Sequence, residues 1–177
     1  MEISRWRQPP DLVREESGAP AGASDEEPVM PSTHIALHVH VVFSTKDRMP
    51  LINLEWQERL HAFLGGVVRN LDAVPEAVGG VADHVHLLIG LRATHVLSEV
   101  VRDVKAVSSR WVHEEIGIEK FGWQEGYGAF SVSPSQCQAV RQYIDNQAEH
   151  HRAKGFQEEY LEFLMKCGVR YDERFLW

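Results

Sequence analysis

The sequence predicts an α+β domain built on a ferredoxin-like split β-α-β sheet, with helices on one face and further helices appended at the C-terminus. Two observations carry this prediction. Patterns typical of strands and helices alternate in the order β-α-β-β-α-β between residues 35 and 132. Two more helical patterns follow that core toward the C-terminus, and no internal repeat interrupts the order. We therefore expect one principal sheet.

The totals describe an ordinary globular chain of 177 residues, 44% hydrophobic and 25% charged. No apolar run approaches the roughly 20 residues that span a bilayer, and we find no secretory signal. Cys137 and Cys167 are too few and too far apart for a disulfide framework. We therefore expect a cytoplasmic protein without a membrane partner.

Residues 1–33 differ in composition from the rest of the chain. They are rich in Pro, Gly, Ala, Ser and Glu and show no sustained periodicity, so we predict a disordered N-terminal extension. Met30 stands at the edge of this segment and is an alternative start. The predicted domain occupies residues 34–177.

The first half of that domain shows four elements in order. Odd positions are apolar from residue 35 to 43, which predicts a half-buried strand. Asn53 is the expected N-cap of a helix over residues 54–71, where apolar residues recur at helical spacing. Strands are predicted at 74–81 and 84–91.

The second half continues with helices and one short strand. Thr94 is the expected cap of a helix over 95–115, followed by a Gly-rich aromatic loop and a strand at 129–132. Ser133-Pro134 is a strong helix start, and that helix is predicted to reach Lys154. The last helix is predicted over 157–167, with inward residues Tyr160, Phe163 and Leu164.

Two histidines stand one residue apart on the predicted third strand. Because alternate residues of a strand point to the same face, His84 and His86 should project together, with Val85 turned to the opposite layer. Paired imidazoles are common ligands of divalent metals. His38 and His40 repeat the spacing, but the simplest interpretation of that pair is the more polar face of a sheet.

A tyrosine and a glutamine lie one helical turn apart on the predicted 134–154 helix. Tyr143 and Gln147 should therefore share a face. Either residue alone would be read as a packing or surface residue. Beside a metal, however, the pair indicates a catalytic role, since a phenolate can attack a metal-polarised phosphodiester.

These motifs together resemble the single-tyrosine HUH transposases, the small enzymes of certain bacterial insertion sequences, with relatives associated with repeated extragenic palindromes. The resemblance covers about residues 32–177. The segments that carry it are His84-Val-His-Leu-Leu-Ile89, Tyr143-x-x-x-Gln147, His40-Val-Val-Phe-Ser-Thr-Lys-Asp-Arg48 and Gln147-Ala-Glu-His-His151.

The resemblance implies a site and a reaction. His84, His86 and Gln147 would be the protein ligands of Mg²⁺ or Mn²⁺, and Tyr143 would be the nucleophile. It would attack single-stranded DNA that carries hairpin or palindromic ends, leaving a 5′-phosphotyrosine and a free 3′-hydroxyl, and reversal of that step would exchange strands in transposition. The family also implies a homodimer, in which the tyrosine helix often serves the other subunit.

Basic residues are candidates for holding the DNA backbone, although each also has an ordinary interpretation as a solvated surface charge. The net charge of −8 is unusual for a DNA enzyme, but a local basic face is compatible with it. The tentative DNA-binding residues are Lys46, Arg48, Arg102, Lys105 and Arg110.

Three other interpretations remain open. A histidine-triad nucleotide hydrolase is disfavoured because Leu88 stands where the third histidine would be. A domesticated relative would bind palindromic hairpins without transposition, and the retained site residues argue against loss of chemistry. The third is a ferredoxin-like domain with fortuitous histidines.

Overall fold

The computed structural model describes residues 34–150 and 155–172. The expected N-terminal extension of residues 1–33 lies outside the described residues, as do the predicted end of the long helix at Lys154 and the last five residues.

Four antiparallel strands form one sheet in the order β2-β3-β1-β4. The strand β3 lies between β1 and β2, so the connection from β1 to β2 crosses over it, which is the split arrangement that the sequence predicts. The predicted bounds of the second and third strands agree with the structure. The strands are β1 (Leu37–Ser44), β2 (Val74–Val81), β3 (His84–Leu91) and β4 (Gly128–Val132).

Among the described residues, five α-helices connect or follow these strands. Short 3₁₀ turns stand at Lys46–Arg48 and Pro134–Gln136, and a π-helical turn at Val112–Ile116 extends the second helix until Gly117, at φ 78°, ends it. The α-helices are α1 (Gln57–Asn70), α2 (Leu97–Trp111), α3 (Cys137–Asp145), α4 (Gln147–His150) and α5 (Phe156–Lys166).

The helix predicted from residue 134 to 154 is divided in the structure. Asn146 ends α3 with φ −99° and ψ 18°, and its side-chain nitrogen donates to the carbonyl of Gln142 at 2.8 Å. An asparagine that bonds back to the backbone competes with regular helix, which accounts for the break. Tyr143 and Gln147 therefore lie on two consecutive helices.

The two predicted N-caps, Asn53 and Thr94, are not the N-caps in the structure. Asn53 and Thr94 precede the helices by a few residues, and the structural N-caps are Trp56 and Val96. Asn53 still stabilises the approach to α1, because its side-chain oxygen accepts from the backbone N–H of Glu55 at 3.1 Å.

The strands divide their side chains between two unlike faces. Odd-numbered residues of β1 and β3, such as Phe43 and Val85, pack under α1 and α2 in the larger apolar core. Even-numbered residues meet the C-terminal helices, with Val42 packed against Phe156 and Leu88 against Ile144. The appended helices thus cover the second face, which carries the histidines. No helix within the described ranges has the length and apolarity to cross a membrane.

Candidate metal and tyrosine site

The strand β3 projects both histidines of the His-Val-His motif into the second face, and each is completely buried. One nitrogen of each ring is already engaged: Nδ1 of His84 lies 2.7 Å from Oδ1 of Asp83, and Nδ1 of His86 lies 3.0 Å from Nε2 of His40. Metal-binding imidazoles commonly use one nitrogen for an outer partner and the other for the metal. The Nε2 atom of each ring is buried and would be the nitrogen that binds an ion.

His40 belongs to this cluster, although the sequence analysis assigned it to an ordinary polar face. Its ring stacks on His86 with centroids 5.1 Å apart, and it is 3% exposed. Burial lowers the pKa of His40 to about 4, against a smaller opposing effect of the nearby Glu159 carboxylate. The Nε2 atom of a neutral His40 can accept a hydrogen bond from Nδ1 of His86, which fixes the orientation of the His86 ring.

Tyr143 reaches the same place from α3. Its ring meets that of His86 edge to face, with centroids 5.6 Å apart, and its hydroxyl donates to Oε1 of Glu159. Burial, followed by the adjacent Glu159 carboxylate, raises the pKa of the Tyr143 hydroxyl, while the Gln147 amide acts in the opposite direction. The phenol is therefore held protonated in this arrangement.

Glu159 on α5 is the buried carboxylate of the cluster, at 3% exposure. Its Oε2 lies 3.7 Å from Nε2 of His86, and one ligand atom from each of His84, His86 and Glu159 lies within 4.8 Å of the others. Glu159 was not predicted from the sequence, because the apolar stripe of α5 is recognised by its hydrophobic residues and a glutamate within it gives no hydrophobic signal.

Gln147 lies at the start of α4 and is 1% exposed. Its Oε1 is buried and accepts no hydrogen bond from the described residues, whereas its Nε2 faces the Tyr143 carbonyl at 3.5 Å, too long for a strong bond. A buried carboxamide oxygen without a donor is a suitable ligand atom for a cation.

The close approach of the helix after Tyr143 to the sheet depends on Gly79 in β2. A Cβ placed there would lie 2.6 Å from the carbonyl oxygen of Ile144, closer than side chains permit. Gly79 pairs with His86 across the sheet. This glycine therefore lets the tyrosine helix come down beside the metal-ligand strand.

A second contact fastens α3 to the same edge. Arg141 donates to Oε2 of Glu76 at 2.6 Å, and the other oxygen of Glu76 contacts Nδ1 of His38. Burial alone would raise the pKa of Glu76, but Arg141 and His38 together outweigh it and hold the pKa below its usual value. His38 thus belongs to an ion-pair network, separate from the His84–His86 site.

A cavity of about 450 Å³ opens beside Gln147. It lies between α1, β2 and the end of α3, and it is lined by Gln57, His61, Gly79 and Asp145 among others. Of the candidate metal ligands, only Gln147 lines this cavity.

The tentative DNA-binding residues are divided between the two faces. Lys46 and Arg48 follow β1 at the end where Ser44 pairs with His84, so they lie at the end of the sheet nearest the motif. The three candidates on α2 lie on a helix that packs against the opposite face, and the structure does not bring them to the histidines: Arg102, Lys105 and Arg110.

Lys105 also has a clear structural contact. Its ammonium donates to the carbonyl oxygens of Gln124, Glu125 and Gly126 at 2.6, 3.1 and 3.0 Å, and so holds the loop before β4. Burial lowers its pKa, with Glu125 partly opposing the change. Arg102 pairs with its neighbour Asp103 at 2.8 Å on the surface.

The donor set fits a divalent cation. One ligand atom from each of His84, His86 and Glu159 lies within 4.8 Å of the others, and the Gln147 carboxamide oxygen is buried nearby on the helix that follows Tyr143. Mixed nitrogen and oxygen donors suit Mn²⁺ and related ions. Oxygen donors also suit Mg²⁺.

Comparisons with known proteins identify the family of this chain. The family model described as "Transposase IS200 like" matches residues 33–147. A candidate transposase from Deinococcus radiodurans R1 is 24% identical, with a TM-score of 0.53, over 67% of this chain and 95% of that one. A REP-associated tyrosine transposase, solved with a REP hairpin, is 16% identical with a TM-score of 0.51, over 69% and 73% respectively.

Comparison with curated proteins gave no match. The two solved structures support the fold, and the family model spans the sheet, the histidine strand and the helix up to Gln147. The chain therefore belongs to the IS200-like transposase family.

Proposed function

We propose that this transposase cleaves and rejoins single-stranded DNA through a covalent bond to Tyr143. His84, His86 and Gln147 would hold Mg²⁺ or Mn²⁺, and the substrate would be a strand with hairpin or palindromic ends. The expected product is a 5′-phosphotyrosine with a free 3′-hydroxyl on the other side of the break.

The observation that supports this proposal best is the position of the Tyr143 side chain. Its ring lies against His86 in the same buried cluster that contains His84, although 57 residues separate Tyr143 from His86 in the sequence. A phenol that is merely part of a core would not need two engaged imidazoles and a buried carboxamide oxygen around it. A nucleophile that acts beside a metal would need such surroundings.

The metal, when bound, would neutralise charge on the scissile phosphate. The Tyr143 hydroxyl would lose its proton as Oη forms the new bond to phosphorus, and the bond from phosphorus to the 3′-oxygen would break, so that one proton is released and one is taken up. The released 3′-oxygen takes a proton and becomes the hydroxyl that can later reverse the reaction. Positioning and charge neutralisation are the main requirements of phosphoryl transfer, and rigid strand and helix positions supply the first.

Incubation with a single-stranded oligonucleotide that carries a hairpin from the DNA flanking the gene tests this proposal. With Mn²⁺ we expect a covalent protein–DNA band on a denaturing gel, and EDTA should abolish it. Tyr143→Phe should reduce the band by at least about 10³-fold, since phenylalanine has no nucleophile.

The matched control is Tyr127→Phe, which removes another hydroxyl outside the histidine cluster. It should retain the wild-type amount of adduct. An adduct that survives Tyr143→Phe and is lost in Tyr127→Phe would show that the nucleophile is misassigned. Hairpin binding without any adduct, in every metal tried, would favour the domesticated DNA-binding alternative.

We also propose a homodimer whose subunits each carry a full site. This follows the family resemblance, and the position of Tyr143 beside His86 of its own chain supports action within one subunit. Mixing His84→Ala with Tyr143→Phe protein should then fail to restore the adduct. Restored adduct would mean that the tyrosine of one subunit serves the metal of the other.

Among the basic residues, Lys46 and Arg48 have the position that supports contact with the DNA backbone. We expect Lys46→Ala to weaken hairpin binding several-fold and to reduce its dependence on salt concentration. The same substitution at Arg110, on the opposite face, should change hairpin binding less.

A further inference from the structure

We propose that Glu159 is a fourth protein ligand of the divalent metal, so that the C-terminal helix α5 completes the site. This inference rests on the proposed function, because it concerns the same metal. It adds a carboxylate to the three neutral ligands that the family resemblance implies.

The distances agree with ligation. Oε2 of Glu159 is 3.7 Å from Nε2 of His86, and the whole group of ligand atoms lies within 4.8 Å. Around an octahedral cation with bonds of about 2.1 Å, adjacent ligand atoms are about 3 Å apart and opposite ones about 4 Å apart. The 3.7 Å separation lies between these two spacings, and 4.8 Å is the outer limit of the group formed by His84, His86 and Glu159.

The burial of Glu159 is the second argument. Glu159 is a carboxylate at 3% exposure, and burying a charge is costly unless a cation or hydrogen bonds compensate it, as the Tyr143 hydroxyl does in part. Its helix is seated on the sheet by apolar contacts of Phe156 and Leu164 with β1 and β4, so Glu159 is held in place on the inward face. The acidic neighbour Glu158, in contrast, is exposed.

The third argument is that the expected ion, Mg²⁺ or Mn²⁺, prefers hard oxygen ligands. Mg²⁺ and Mn²⁺ favour carboxylate oxygen, and Mg²⁺ sites are commonly held by one or two carboxylates. Two imidazoles and one carboxamide provide no negative charge. Glu159 would supply a negative charge to the metal, and the same carboxylate also contacts the Tyr143 hydroxyl.

That contact makes Glu159 a positioning residue for the nucleophile as well. Oε1 accepts from the Tyr143 hydroxyl while Oε2 faces His86. One carboxylate would thereby join the metal to the tyrosine, and metal binding would hold α5 and the Tyr143 side chain in register.

Calorimetric titration of the metal-free protein with Mn²⁺ tests the inference without DNA. We expect Glu159→Gln, which keeps the shape and removes the charge, to weaken Mn²⁺ binding at least tenfold. Glu158→Gln on the exposed side of the same helix should stay within twofold of wild type. His84→Ala serves as the reference for loss of a predicted ligand.

The outcomes separate the two proposals. Wild-type affinity in Glu159→Gln together with loss in His84→Ala would overturn the role of Glu159 and leave the proposed function standing. Failure of the wild-type protein to bind Mn²⁺ would overturn both.

A crystal of the wild-type protein soaked with Mn²⁺ gives a test that does not depend on how the variants fold. The anomalous signal should lie about 2.1 Å from a Glu159 oxygen. A manganese ion bound by His84 and His86, with Glu159 more than about 3.5 Å away, would contradict the inference.

Discussion

At the scale of single residues, the site is defined by which atom of each side chain is already engaged. Nδ1 of His84 is hydrogen bonded to Asp83, and Nδ1 of His86 is hydrogen bonded to His40. Nε2 of each ring would therefore be the nitrogen that binds the metal. This arrangement needs a neutral His40, since a protonated imidazole could donate but not accept. The environment of His40 therefore determines the orientation of a predicted ligand.

The neutral state of His40 predicts loss of stability in mild acid. Its pKa is about 4 in the folded protein and 6.5 when unperturbed, so between those values the unfolded chain binds a proton that the folded chain does not. The free energy of unfolding should fall as the pH drops below 6.5, by up to about 3 kcal/mol near pH 4. Urea unfolding in EDTA between pH 7 and pH 4.5 measures it.

The control for this prediction is His40→Gln, which cannot titrate. Its stability should depend less steeply on pH over that interval, with a remainder from His61, whose pKa burial also lowers despite the opposing effect of Glu58. Parallel pH profiles for wild type and His40→Gln would show that His40 does not carry the effect.

At the scale of secondary-structure elements, the site depends on how closely α3 approaches β2. Glycine at position 79 removes the Cβ that would meet the Ile144 carbonyl, and the Arg141–Glu76 ion pair holds the preceding turn of α3 to the same strand. Tyr143 lies between these two anchors. A displacement of α3 by even an ångström would separate the phenol from the histidines.

Gly79→Ala should therefore damage both stability and chemistry. We expect a loss of about 1–3 kcal/mol in the free energy of unfolding, as for other overpacked sites, together with a large drop in the covalent adduct. Chemical denaturation and the oligonucleotide assay measure the two effects.

Gly66→Ala is the matched control, because a Cβ in that helical position has nothing within 4 Å. It should leave the adduct unchanged and raise stability by up to about 1 kcal/mol, since glycine is a poor residue within a helix. Equal effects of the two substitutions would show that the close approach at Gly79 does not govern the site.

At the scale of the whole described domain, the sheet has one face devoted to stability and one that combines packing with chemistry. The face under α1 and α2 holds the larger apolar cluster. The other face holds two small clusters around buried polar residues, namely His40, His84, His86, Gln147 and Glu159.

This division predicts different outcomes for two core truncations. Leu60→Ala on α1, which is 0% exposed, should lower the free energy of unfolding by about 2–5 kcal/mol. Leu164→Ala should instead increase hydrogen exchange mainly in α5 and weaken Mn²⁺ binding through the loss of Glu159. Exchange that rises uniformly in the Leu164→Ala protein would contradict an independent C-terminal helix.

Much of this fold could be predicted from the sequence because its signals are periodic. Alternation identified the strands, and the bounds of β2 and β3 agree with the structure because the turn at Ala82-Asp83 separates two continuous patterns. The helix break at Asn146 was not predicted, since it follows from a side-chain hydrogen bond that spacing does not reveal.

Candidate site residues could be predicted from the sequence only where they stand close together in it. The His84–His86 pair and the Tyr143–Gln147 pair are local patterns. Glu159 and His40 are brought to them by helix docking and strand register, over separations that no local pattern spans. The one sequence feature that could have indicated Glu159 is its position within the apolar stripe of α5, beside Phe156, Tyr160 and Phe163.

The most direct test of the central claim is mass spectrometry of the covalent DNA adduct after nuclease and trypsin digestion. Trypsin cleaves after Arg141 and Arg152, so Tyr143 lies in an eleven-residue peptide that contains no other tyrosine. The account predicts that this peptide carries a nucleotide joined through phosphate to the Tyr143 oxygen. A nucleotide on any other peptide, with the Tyr143 peptide recovered unmodified, would contradict it.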